Sequence, residues 1–298
     1  MNKTEFLNVF QVYASKYDLT DPKILLKYIH TEKVAENSER IARSLNLSEG
    51  EIELAWQIGV LHDVGRFEQL RRYDTFNDAA SIDHAQFGAD LLFREGLIER
   101  FFPKSELAIL EIDCDITKEA DCNNVNSCIA EAENIIHIDQ MQEKNITFLE
   151  KLAIIETAIR CHNLYRLPEG LSEYETLFCN IIRDADKADI FRANYETGMD
   201  AIYNVTMQEL KESEITPAVY EAFMEGHAVL RSLKKHPIDH LVGHLALSFE
   251  FVFAETGKIA AEQGFLWKLA EFHSDNPETE QKMERIREIL KKRIDEWL

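Results

Sequence analysis

Leu61-His62-Asp63-Val64-Gly65-Arg66 is the stretch on which the reading of the whole chain turns. Adjacent histidine and aspartate at the end of an apolar run place an imidazole and a carboxylate where the chain turns, and there both can reach one cation. Neutral imidazole with carboxylate suits iron, manganese, zinc and other borderline divalent ions. Gly65 is expected to permit a sharp exit after the pair. Immediately upstream, Ser48-Glu49-Gly50-Glu51 reads as a capping box, followed by an apolar face of Ile52, Ala55, Trp56, Ile58 and Leu61. The pair therefore closes a helix. Further upstream, Ile24, Tyr28, Val34, Ile41 and Leu45 fall close to a 3.6-residue stripe, and His30 opens the segment HTEKVAENSERIARSLNL within it.

Helical periodicity continues downstream. Ser172-Glu173-Tyr174-Glu175 opens another helix, and Pro22, Pro217 and Pro277 each follow Asp, Thr or Asn, the pattern of an N-cap with proline in the first turn. All six prolines lie between periodic segments, no alternating run is long enough for a sheet, and no internal repeat is found. These signals predict an all-α fold. Residues 112–134, acidic, asparagine-rich and weakly periodic, read as a peripheral insertion, a lid or an oligomer contact, that contributes no metal ligand. The expected organisation is a single domain over 1–298, with a core at about 22–194 and C-terminal helices from about 197 packed on it.

His30, the His62-Asp63 pair and an Arg183-Asp184-Ala185-Asp186-Lys187-Ala188-Asp189 stretch together resemble the HD-domain superfamily of metal-dependent phosphohydrolases. That pattern is a first His, an HD pair and a distal Asp. The resemblance assigns the distal ligand to Asp186, between a small and a basic residue, with Asp184 as its competitor. It also extends to the two-metal branch, in which two further histidines intervene in the order H, HD, H, H, D. His84, 21 residues after Asp63, and His162, 24 before Asp186, fill those places. The fold implied is an HD-domain helical bundle with at least five helices converging on the metals. Two divalent ions are implied, from manganese, iron, nickel, zinc or magnesium. His30, His62 and Asp186 would hold one, His84 and His162 the other, with Asp63 bridging.

Composition sets the surroundings. The 298 residues carry 54 acids against 33 bases, a formal net charge of −21. A field of that sign repels nucleic acid and anionic membrane, so a phosphate-bearing substrate must be drawn in by a local site. The start of the chain lacks an apolar leader region, and the most apolar stretch, Leu241 to Ala254, is interrupted by His244 and Glu250. Five cysteines, an odd count without a CxxC pair, argue against a disulfide framework and a zinc ribbon. The expected compartment is the cytoplasm. The expected partner is a small phosphorylated substrate rather than a nucleic-acid polymer or a membrane, with a homo-oligomer left open.

Basic and aromatic residues around the ligands are the candidates for substrate. Arg66, three after Asp63, takes a place where family members often carry a basic residue near the substrate, or else it is a surface charge at a helix end. Arg71, Arg72 and Tyr73 form a basic-aromatic stretch suited to phosphate or base recognition, while Phe76 is expected to close the core. Lys187 is a candidate to neutralise charge developing on phosphate, or else to pair with Asp184 or Asp189. Asp83 is expected to cap the helix that starts at His84, with orientation of an imidazole as its other role. His236, His240 and His244, spaced at i, i+4 and i+8, lack an acidic third ligand and read as ordinary helix-face residues. No GxxxxGK[ST], GxGxxG or GxSxG motif is present.

The function implied by the resemblance is hydrolysis of a small phosphorylated metabolite or nucleotide through a metal-activated hydroxide, with Asp63, Arg66 and Lys187 catalytic. Some family members, similar to inositol oxygenase and a phosphonate-cleaving oxygenase, use the same six ligands for two irons, and that is the alternative. A module that binds without catalysis is a third reading, opposed by the complete ligand set.

Overall fold

The computed structural model describes residues 2–102 and 146–298, and these contain helices and no strand. The stretch read as an insertion, 112–134, lies outside the described residues. Helix α1 (Lys3–Ala14) carries Phe6, Phe10 and Tyr13 inward. Helix α2 (Pro22–Ser44) starts as expected, with Asp21 capping the Lys23 amide and Pro22 in the first turn. Helix α3 (Glu49–Leu61) opens on the Ser48–Glu51 capping box. Its apolar surface is wider than one face: Leu54, Gly59 and Val60 are buried along with the residues of the expected stripe. The cause is position, since α3 is packed by neighbours on several sides and a helix so placed is buried all round.

After α3 the break in the helix is short. Only His62 and Asp63 separate it from helix α4 (Val64–Tyr73). Gly65 is itself helical, and its role is close approach rather than a turn. A Cβ there would lie 2.4 Å from the His84 carbonyl oxygen and 2.8 Å from the Gly88 amide nitrogen, both on helix α5 (His84–Ala89). The bare backbone lets α5 press against the start of α4, which sets His84 beside Asp63. Tyr13 of α1 clamps the same turn from the other side, donating its hydroxyl to the Val64 carbonyl at 2.8 Å.

Helix α6 (Phe148–Cys161) is capped by Thr147 and Glu150, and helix α7 (Glu173–Thr197) by Ser172 and Glu175. The long α7 helix serves two cores. Leu177, Phe178, Ile181, Ile182 and Ala185 belong to the first, with α1 to α6, while Phe191 belongs to the second. That second core gathers α8 (Met199–Tyr203), α9 (Met207–Glu212), α10 (Pro217–Met224), α11 (Pro237–Leu245), α12 (Ala254–Gln263), α13 (Phe265–Ala270) and α14 (Pro277–Trp297). The starts signalled by Pro217 and Pro277 are both present. A buried carboxylate fastens α7 to this region: Asp184 accepts from the Val252 and Phe253 amides at 2.9 and 3.0 Å and from the Thr256 hydroxyl at 2.8 Å. No helix among the described residues is long and apolar enough to cross a membrane.

Gly65→Ala forces a methyl into the α5 backbone, which cannot yield as a flexible side chain would. The expected cost is about 1–3 kcal/mol in urea unfolding, the range for overpacking a tight contact. A variant as stable as the parent would mean that α4 and α5 are less closely set than described.

Candidate metal centre

Five helices deliver the six expected side chains to one place. His30 projects from the middle of α2, His62 caps the end of α3, and Asp63 occupies the two-residue joint before α4. His84 is the first residue of α5, His162 caps the end of α6, and Asp186 lies in the middle of α7. Helix ends place three of them because the backbone changes direction there. Asp63 makes no cap bond to α4, so its carboxylate is free to face the cluster.

Asp63 is the hub. Its Oδ2 lies 3.7 Å from His30 Nε2 and 3.6 Å from His62 Nε2. Its Oδ1 lies 3.5 Å from His84 Nε2 and 3.8 Å from His162 Nε2. Each carboxylate oxygen thus faces one pair of imidazoles. Asp186 Oδ1 joins the first pair, 3.0 Å from His30 Nε2. The six side chains accordingly sort into two triads whose donor atoms lie within 4.8 Å of one another, His30–His62–Asp186 and Asp63–His84–His162, and Asp78, Asp83 and His84 form a third such group beside them. Asp184, the competitor for the distal place, is turned away to the backbone of 252–253 and takes no part.

Every imidazole is held by its other nitrogen. His62 Nδ1 bonds the Gly59 carbonyl and His162 Nδ1 the Ile159 carbonyl, each at 2.7 Å and each three residues back along its own helix. His84 Nδ1 bonds Asp78 Oδ2 and His30 Nδ1 bonds Asp189 Oδ2, both at 2.7 Å. A neutral ring donating through Nδ1 presents an unprotonated Nε2, the form that ligates metal. Burial keeps His62 below its ordinary value and pulls His84 and His162 down to about 4, so these three rings are neutral at pH 7. For His30, burial and Lys27 push down, but Asp186 and Asp189 outweigh them and raise it. Burial alone would raise Asp63; Lys27, His62, His84 and Arg66 overcome it and hold the carboxyl well below its usual range.

The cluster fits a metal on its own geometry. His62 Nε2 and Asp63 Oδ1 are buried polar atoms without a hydrogen-bond partner, and both face the same centre, while His30 Nε2 lies 3.0 Å from Asp186 Oδ1. His62 is 0% and Asp63 2% exposed, so both are shielded from bulk water. Buried groups left this way cost free energy unless something else satisfies them. Four imidazole nitrogens and two carboxylates form a donor set suited to borderline divalent ions.

The surroundings follow the sequence reading at Arg66 and Asp83 and depart from it elsewhere. Arg66 reaches the centre: its Nε lies 3.7 Å from Asp63 Oδ1 while Nη1 bonds Asp78, Gln69 and the Phe76 carbonyl. Arg71, Arg72 and Tyr73 do not. They follow Arg66 by more than a helical turn, so the two arginines swing to Glu68, and they line a separate cavity of about 680 Å³ with Tyr13, Lys16 and Tyr17. Tyr73 is an exposed residue at the helix end. Lys187, despite following Asp186, points away: its ammonium donates to the Glu250 carbonyl at 2.8 Å and lies 3.4 Å from Asp184. Asp83 caps α5 through the Ala85 and Gln86 amides, and the carboxylate that orients His84 is Asp78.

Lys27 was not anticipated. Its ammonium lies 2.7 Å from Asp63 Oδ2, opposite Arg66 on the other oxygen, and both cations sit 5.7 Å from the Phe76 ring. Phe76 is thus a partly buried wedge between two cations rather than a core plug alone. The sequence carried a signal for Lys27, which precedes His30 by three residues and so shares its helix face. Asp189 carried a similar one, three residues beyond Asp186.

An HD domain family model matches residues 28–194, more than half of the chain. No curated protein and no solved structure matches. The matched region begins two residues before His30, ends eight after Asp186, and so contains all six converging side chains. The chain belongs to the HD domain superfamily of metal-dependent phosphohydrolases.

Proposed function

We propose that this protein hydrolyses a phosphoester of a small metabolite or nucleotide at a centre of two divalent metals. The observation that carries the reading is the hub: one buried carboxylate with an imidazole pair on each oxygen and a cation, Lys27 or Arg66, beside each. On this reading His30, His62 and Asp186 hold one ion, His84 and His162 the other, and Asp63 serves both. Bound divalent metals would supply Lewis acidity toward the phosphoryl oxygens and acidify a water for attack on phosphorus.

The protein's own part is placement and charge. Asp78 and Asp189 fix the rings of His84 and His30, so the donors need little rearrangement to receive ions. Lys27 and Arg66 offer positive charge at the rim, where a phosphate dianion must come to rest in a chain of net charge −21. Arg66 is braced by Asp78, Gln69 and the Phe76 carbonyl, which makes it a preset electrostatic group. Lys27 is a flexible ammonium whose carboxylate partner is also a proposed metal ligand, so it is free to turn to substrate when Asp63 is engaged. The substrate contacts once expected from Arg71, Arg72, Tyr73 and Lys187 pass on this reading to Lys27 and Arg66.

The alternative, a di-iron oxygenase, would use the same six side chains and differ in its metal. Elemental analysis of the protein as purified separates them, together with phosphate release from a substrate panel with added manganese. Two irons and no phosphate release would replace the hydrolase reading.

Two predictions test the assignments. Asp63→Ala should lose nearly all metal, whereas His84→Ala or His162→Ala should lose one ion of two, as counted by plasma mass spectrometry on folded protein. Equal loss in all three would remove the bridging role. Lys27→Met should keep full metal content and lower kcat/KM by about 100-fold, the scale of deleting one charge-stabilising donor. Lys187→Met should leave kcat/KM within about threefold of the parent, because its ammonium is spent on Asp184 and Glu250. A large loss in Lys187→Met with a neutral Lys27→Met would reverse the two roles.

A further inference from the structure

A second polar cluster lies in the C-terminal core, on the helix whose histidines read from sequence as ordinary. His240, Gly243 and His244 stand at i, i+3 and i+4 of α11 and so share one face. His236 is separate: it caps the helix and faces Glu214 at 3.3 Å. His244 Nδ1 accepts from Asn194 Nδ2 of α7 at 2.7 Å and lies 3.0 Å from the Tyr203 hydroxyl of α8. An amide nitrogen only donates, so the His244 proton resides on Nε2, which becomes a donor. The Tyr203 ring packs on both imidazoles, at centroid distances of 5.5 Å to His240 and 5.4 Å to His244. His244 is therefore held in place, and His240, an exposed residue, stacks on the Tyr203 ring.

Lys234 ends on this face. A Cβ at Gly243 would lie 2.5 Å from Lys234 Cε and Nζ, so the end of the lysine rests on the bare backbone of Gly243, which falls between His240 and His244 in sequence. The side chain is partly buried, yet among the described residues its ammonium has neither a carboxylate nor a hydrogen-bond acceptor. The nearby acid is Asp239, and it is spent: it accepts from the Thr216 amide and hydroxyl and from the Lys235 and His236 amides. Burial, with Arg231 adding to it, pulls Lys234 down to about 8, and burial with Lys234 pulls His244 down to about 3. The partly buried ammonium is left unpaired in a chain whose 21 surplus negative charges offer many carboxylates that could neutralise it.

We propose that Lys234, His240 and the Nε2–H of His244 form a binding site for a tetrahedral oxoanion, the phosphate or sulfate group of a small molecule. The donors are of the right kind: a three-proton ammonium, a fixed imidazole N–H and a second imidazole, with Gly243 leaving room for the ammonium. A metal ion is disfavoured because Lys234 repels it and His244 Nδ1 is engaged. This site shares no residue with the metal centre, so it stands whether or not the hydrolase reading does.

The test uses full-length, metal-loaded protein with ¹⁵N-labelled histidine, titrated with inorganic phosphate and, separately, with sulfate. Signals of His240 and His244, assigned from their Gln variants, should shift saturably with either anion, apart from any response of the metal ligands. Lys234→Met and Gly243→Ala, the second of which displaces the ammonium, should each weaken that binding by about 10-fold or more. Hydrolytic activity should be unchanged in both. Absence of any saturable shift at His240 and His244 in the parent protein overturns the proposal on its own. So does parent-like affinity in whichever variant is folded.

Discussion

Asp63 is a carboxylate taken out of water at the point where five helices meet, and that one burial governs much of the molecule. Removing such a charge from solvent costs on the order of several kcal/mol after relaxation, and it persists only where positive groups and donors surround it. Here the compensation comes from Lys27 and Arg66, while four imidazoles present their Nε2 atoms at 3.5 to 3.8 Å. His62, His84 and His162 cannot serve as donors to Asp63 while their protons are committed through Nδ1. The result is a centre rich in lone pairs and short of protons, the condition that a divalent cation relieves.

The fold can be understood as the scaffold for that condition. Tyr13 and Gly65 fix the first turn of α4 from opposite sides, so the backbone just after Asp63 has little freedom. The carbonyls of Gly59 and Ile159 orient His62 and His162 without any further side chain, because each histidine closes its own helix. Asp184 and Asp186, two residues apart on α7, point in different directions and do different work. The first fastens the helix to the backbone at 252–253, and the second faces His30.

The helical fold was legible because it rests on local signals: capping boxes at Ser48 and Ser172, prolines in first turns, and apolar stripes. The order of the six converging residues was legible for a different reason, through the resemblance of the chain to the HD-domain pattern. What could not be read was where long side chains swing. Lys187 was expected at the site because it follows Asp186, but successive helix positions diverge by about 100°, and its ammonium finds Glu250, 63 residues away in sequence. Arg71 and Arg72, more than a helical turn beyond Arg66, turn to Glu68. Lys27, Asp78 and Asp189 were missed because an ion pair or an orienting carboxylate leaves no motif of its own. The unpaired state of Lys234 depends on Asp239 being spent elsewhere, which only the folded chain reveals.

The central claim is that Asp63 joins two metal ions, and anomalous scattering at the absorption edges of the bound metals in crystals of the loaded protein tests it most directly. The account predicts two peaks, one among His30, His62 and Asp186 and one beside His84 and His162, with the Asp63 carboxylate in contact with both. A single peak, or a second ion seated on Asp78 and Asp83 away from Asp63, would contradict it.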